Sequence, residues 1–154
     1  MRHPSSRLFF ALLLTLSLTS LSACSLLPSA SNPASATPVS AKTLLETPSS
    51  WNGKPLVYPQ GTAKVTALEI VVAPGAETGW HQHPVPSLAY MLEGELEVAL
   101  RDGTRKRIRA GEAVAEVVDT DHNGRNPGST PARLVVFYVG TAEKALTVPS
   151  HDHK

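Results

Sequence analysis

One cysteine, Cys24, occurs in the whole sequence, so no disulfide can staple the chain to itself. The longest apolar stretch, Phe9 to Leu21, stops well short of the ~20 residues that a membrane-crossing helix needs. After Trp51 no stretch of helical length repeats its apolar residues with the period of about 3.6 that marks an amphipathic helix. Charge of one sign is lacking as well, because the formal net charge is +1. Setting aside Arg2 and Arg7, the part after Cys24 keeps 12 of the 14 basic residues against 13 acidic ones. Nucleic-acid binding relies on a marked basic excess, so no nucleic-acid partner is expected.

What is present divides in two. Residues 1–23 open on Arg2 and Arg7 and continue as Leu, Phe, Ala, Ser and Thr, and charge stays rare until Lys42. A basic start before about a dozen apolar residues is the pattern of an export signal. Pro28 to Ala41 is rich in Ser, Ala, Pro and Thr and cannot bury enough surface to order itself. Residues 24–50 therefore read as a tether, holding a domain about 25–30 Å from its point of attachment on average. Within it Lys42 to Glu46 suits a short strand or a helical turn equally. Residues 51–142 read as one folded domain and residues 143–154 as a polar C-terminal tail.

Cys24 closes the string Leu21-Ser22-Ala23-Cys24, which resembles the lipobox of bacterial lipoproteins. The resemblance implies cleavage before Cys24 and lipidation of Cys24. It places the protein in the bacterial cell envelope, with a lipid anchor as its only membrane attachment. Ser25, in place of an aspartate, implies the outer membrane, with the domain facing the periplasm. An unpaired thiol in an oxidising compartment fits this reading better than it fits an ordinary secreted domain.

The folded part reads as all-β. Short β-branched or alternating runs span Pro55–Tyr58, Ala63–Ala73, Gly79–His83, Leu88–Leu92, Glu95–Leu100, Thr104–Arg109, Ala113–Val118 and Ala132–Val139. Leu96, Val98 and Leu100 alternate with Glu95, Glu97 and Ala99, the two-residue period of a half-buried strand. Asp102-Gly103 signals a tight type I′ turn, and Glu93-Gly94 and Ala110-Gly111 mark further turns. Strands at this spacing point to a sandwich or barrel.

Gly75 to Gly94 reads GAETGWHQHPVPSLAYMLEG and Gly111 to Asn126 reads GEAVAEVVDTDHNGRN. In order and internal spacing these resemble the two motifs of the small single-domain bacterial cupins (cupin type-2). Gly75, His81, His83, Gly94, Gly111, His122 and Asn126 fall at matching places. The resemblance implies a single small cupin-type β-barrel, a double-stranded β-helix or jelly roll, with a homodimer paired through edge strands. Two departures bear on the site. Ser87 and Leu88 stand where the first motif has a glutamate, and Val117 and Asp119 replace the proline and glycine of the second.

Residues two apart on a strand share a face, so His81 and His83 should look into the barrel, with His122 approaching from a facing strand. Three neutral imidazoles suit a divalent transition metal (Fe, Mn, Ni, Cu or Zn) and leave positions open for water, oxygen or substrate. With no carboxylate among the ligands, such an ion would keep its full charge and favour a small anionic molecule. The cupin resemblance then implies an oxygenase or isomerase-type reaction. The rival readings are a non-catalytic module binding a small ligand or metal, and a metal-free barrel whose histidines only form hydrogen bonds. Glu93, Glu97 and Glu116 read as solvated face or turn residues, with Glu116 an alternative source of the missing carboxylate.

Ser87, Tyr90 and Asn126 are candidate pocket residues, although packing also accounts for Tyr90 and Trp80, and a turn for Asn126. Pro84-Val85-Pro86 should fix the rim of the site. Arg101, Arg105, Lys106, Arg107 and Arg109 form a basic hairpin, read as a solvated edge strand or as a face for lipid phosphates. His151-Asp152-His153-Lys154 reads as a frayed terminus, with metal capture as the alternative.

Overall fold

A computed structural model describes residues 39–150. The leader, Cys24, most of the tether and the His151–Lys154 stretch lie outside the described residues. From Ala41 onward the chain forms one compact unit. Its strands are β1 (Ala63–Val72), β2 (His81–Gln82), β3 (Ser87–Glu93), β4 (Glu95–Leu100), β5 (Arg105–Arg109), β6 (Ala113–Ala115), β7 (His122–Arg125), β8 (Ala132–Thr141) and β9 (Val148–Pro149). They make a four-stranded sheet in the order β1-β8-β3-β6 and a five-stranded sheet in the order β5-β4-β7-β2-β9. No helix occurs among the described residues, and the all-β expectation holds.

Alternation decides which side chains enter the core. On β4, Leu96, Val98 and Leu100 are buried while Glu95 and Glu97 stay half-exposed. On β3 it is Ser87, Ala89 and Met91 that point inward. Met91 and Val136 from one sheet meet Leu96 and Val98 from the other in a single cluster. Each such side chain contributes ~1.5–3 kcal/mol by leaving water.

The β4–β5 hairpin forms where expected but turns differently. Among the described non-glycine residues only Asp119 has positive φ, so Asp102 does not take the conformation that a type I′ turn demands. Arg101, Asp102 and Gly103 form a three-residue loop with Gly103 alone left-handed (φ 89°), closed by Gly103 N–H donating to Leu100 O at 3.1 Å. On this edge strand Arg105 meets Glu97 at 2.6 Å, and Arg107 and Arg109 reach Glu95 at 3.6 and 3.8 Å. The arginine face carries its own counter-charges.

Other expected elements shift. Pro55–Tyr58 makes only an isolated bridge from Pro55 to Ser49, and Val57 and Tyr58 lie exposed. Prolines at 55 and 59 remove ladder donors at both ends of that run. Gly79–His83 contracts to β2 and Ala113–Val118 to β6. Lys42 to Glu46 is neither strand nor helical turn. The fold also reaches beyond residues 51–142 in both directions. Ser50 is buried, with its N–H donated to Lys54 O, and the segment read as a polar tail supplies β9.

β3 passes to β4 through Gly94, whose φ is 71°. A Cβ there would sit 2.9 Å from Pro131 O and 3.1 Å from Ala132 Cα, both backbone atoms that cannot swing away. Gly94→Ala is therefore expected to destabilise the domain by at least about 2 kcal/mol, combining left-handed strain with the clash. Urea unfolding measures this, and a loss under about 0.5 kcal/mol contradicts the close approach.

Candidate metal centre

The site forms where two short strands meet. β2 pairs with β7 so that His81 lies directly opposite His122, and β9 flanks β2 on its other side. His83 follows two residues after His81 and bridges in parallel to Val118. The three rings lie 4.3 Å (His81–His122), 4.9 Å (His81–His83) and 5.0 Å (His83–His122) apart, centroid to centroid. One ring nitrogen from each lies within 4.8 Å of the other two. His83 and His122 are buried and His81 is half-buried.

Backbone carbonyls fix all three rings. His81 Nδ1 donates to Gly79 O (2.8 Å), His83 Nδ1 to Leu146 O (2.8 Å) and His122 Nδ1 to Thr120 O (2.9 Å). A carbonyl only accepts, so each Nδ1 carries the hydrogen and Nε2 is left to bind. Such carbonyl partners orient imidazole ligands and raise their basicity. Burial pushes the pKa of His122 down to about 4, helped by the neighbouring His81 and His83 and opposed by the Thr120 carbonyl. Burial likewise lowers that of His81. Both are therefore neutral at pH 7, the form in which imidazole binds a metal. The donor set fits a divalent transition-metal ion.

Glu116 joins them, which corrects the reading that put it on a solvated face. β6 ends at Ala115, so strict alternation no longer governs the next residue, and the side chain turns inward. It is 9% exposed. Ser87 Oγ–H donates to Glu116 Oε2 at 2.7 Å, and His83 Nε2 lies 3.3 Å from the same oxygen. Burial alone would raise the Glu116 pKa, but the bond and charge of His83, with help from Ser87 and His122, hold it below the usual range. An acid isolated in the apolar run Ala113-Val114-Ala115-Glu116-Val117-Val118 is the sequence signal that marks it.

The three histidines and Glu116 share a cavity of about 40 Å³ whose other walls include Leu96, Val98, Val136 and Tyr138. Tyr138 packs edge-on to His83, and burial, reinforced by the Glu116 charge, pushes its hydroxyl up to about 12 against an opposing bond to Thr147.

The remaining candidates fall elsewhere. Ser87 reaches the site only through Glu116. Tyr90 sits on the opposite face of β3 from the inward-pointing Ala89 and Met91, away from the cavity. Asn126 is wholly buried but spends its amide on the backbone, with Nδ2 donating to Val72 O and Thr130 O and Oδ1 accepting from Gly128 N–H. Pro84-Val85-Pro86 sends Val85 into the core and lines no rim of the cavity. Trp80 stacks under Arg101 at 3.9 Å.

Comparison with known proteins agrees with this architecture. Residues 68–138 match the family described as Cupin domain. The polyketide synthase CurC of Streptomyces cyaneus is 34% identical over 84 residues, 54% of this chain and 51% of that protein. The chain thus spans about half the length of this curated relative. Among solved structures, an uncharacterized conserved protein with a double-stranded β-helix domain from Klebsiella pneumoniae subsp. pneumoniae MGH 78578 superposes with a TM-score of 0.50 at 17% identity, covering 63% of this chain and 91% of that one. The DMSP lyase DddQ of Ruegeria pomeroyi DSS-3 also scores 0.50, at 23% identity, over 58% of this chain and 45% of its own. The barrel has the cupin fold.

Proposed function

We propose that this chain is a small cupin metalloprotein, carried on a lipid anchor at Cys24, that holds a divalent transition ion through His81, His83 and His122 and handles a small anionic molecule. One observation carries the reading: three imidazoles converge, each with Nδ1 committed to a carbonyl and Nε2 left over. A bound ion supplies Lewis acidity and open coordination positions. The chain's own contribution is to keep His81 and His122 neutral, to orient all three rings, and to wall the site with apolar side chains that limit water. The nearby carboxylate lowers the net charge from that of an all-imidazole site, leaving about one positive charge to attract an anion. The reaction class is an oxygenase or isomerase type.

A second reading, a non-catalytic module that binds a metal, is favoured by the volume, since about 40 Å³ admits a few waters rather than a whole organic acid. Oxygen uptake and product analysis with a panel of small acids separate the two. Turnover supports the enzyme, whereas stoichiometric binding without turnover supports the module. Anchoring is tested by labelling cells with radioactive palmitate. The unaltered protein should carry label and Cys24→Ser should not. Equal labelling of both removes the anchor.

A further inference from the structure

We propose that Glu116 completes the metal site as a fourth protein ligand, taking the place of the glutamate absent at Ser87, and that Ser87 is the strut that aims it. The inference rests on the three-histidine reading above and adds an oxygen donor from a different strand.

A buried carboxylate costs several kcal/mol unless it is matched by charge and hydrogen bonds. Ser87 supplies one hydrogen bond to the carboxylate, its hydroxyl donating to Oε2 at 2.7 Å, and its carbonyl accepts the Glu116 backbone N–H at 2.9 Å. These two contacts fix backbone and side chain together. The other partner is His83. His83 Nε2 stands 3.3 Å from Oε2, but His83 Nδ1 already carries the hydrogen that it gives to Leu146. With Nδ1 committed to Leu146, Nε2 faces Oε2 inside the shared cavity. Neighbouring ligands of one ion, each about 2.0–2.2 Å from it, are separated by just such a gap. The second oxygen and the unused lone pairs of Oε2 remain for that ion, because Ser87 takes only one. No other described acidic side chain lines the cavity.

The arrangement also explains why a serine suffices in the first motif. The carboxylate sits across the β3–β6 pair from Ser87, just past the end of β6, where Leu88 lies opposite Ala115. The resulting set of three imidazoles and one carboxylate leaves one or two positions open on an ion of five or six ligands.

Cobalt(II) is the probe. The soluble domain of the unaltered protein, Glu116→Gln and Ser87→Ala are titrated with cobalt against a competing chelator, and their visible spectra are recorded. The cobalt-loaded unaltered protein is also crystallised. Glu116→Gln keeps shape and the Ser87 bond, and is expected to bind cobalt at least about tenfold more weakly with altered ligand-field bands. Ser87→Ala should fall between the two. The crystal should place a Glu116 oxygen within about 2.2 Å of cobalt. Affinity and spectrum unchanged in Glu116→Gln, or a water between Glu116 and the ion, overturns the assignment while leaving the histidine site standing. No cobalt bound by the unaltered protein overturns both.

Discussion

His122→Ala is expected to strip the domain of metal, leaving less than about a tenth of the ion retained by the unaltered protein after dialysis against a weak chelator. His122 is the one proposed ligand on β7, and it faces His81 across the strand pair. Without it, His81 and His83 remain as two donors on one short segment, and the ion loses the side that closes around it. The ring is buried and neutral, so alanine removes a ligand without stranding a charge and the fold should persist. Elemental analysis of the soluble domain measures the outcome. His81→Ala and His83→Ala should behave alike. Tyr90→Phe, on the far face of β3, should keep full metal, and so should a chain ending at Ser150. Metal retained at the unaltered level by His122→Ala ends the assignment. Loss of metal on removing His151–Lys154 alone would move the site to the terminus.

The largest stability effect should follow Asn126→Ala. This side chain is wholly buried and makes three bonds of 2.8–2.9 Å to main-chain groups of Val72, Gly128 and Thr130. It ties the end of β1 to the loop that leads into β8. Each bond contributes about 0.5–1.5 kcal/mol net, and each backbone group left unpaired inside adds to the loss, so about 2–4 kcal/mol is expected. For a domain of this size that corresponds to a fall of roughly 10–20 °C in Tm. Thermal unfolding measures it, and metal per folded chain should not change, because the amide touches no ligand. A loss under about 1 kcal/mol, or metal lost from a still-folded protein, would return Asn126 to the site.

The strands legible in the sequence were those whose burial follows alternation. β4 is the clearest, since Leu96, Val98 and Leu100 each face the core as their spacing requires. β7 was expected only through His122, because His122-Asn123-Gly124-Arg125 shows no apolar alternation. In the strand that forms, a Cβ at Gly124 would come within 3.2 Å of Leu96 and 3.3 Å of Thr78. The glycine there makes room for close neighbours and does not reverse the chain. The three histidines were found because their spacing is local or set by motif. Glu116 was misread because a strand's period says nothing about the residue just past its end. Leu146 could not be found at all, since its contribution is a main-chain oxygen that any residue would provide.

That oxygen sets an order of events. The hydrogen bond that orients His83 comes from 63 residues further along the chain, and β9 closes the free side of β2 just beyond it. Until the segment from Leu146 to Pro149 is in place, one imidazole is unaligned and the edge of β2 beside it is open. The geometry of the centre is thus complete only once β9 has docked, although β9 itself carries none of the three histidines.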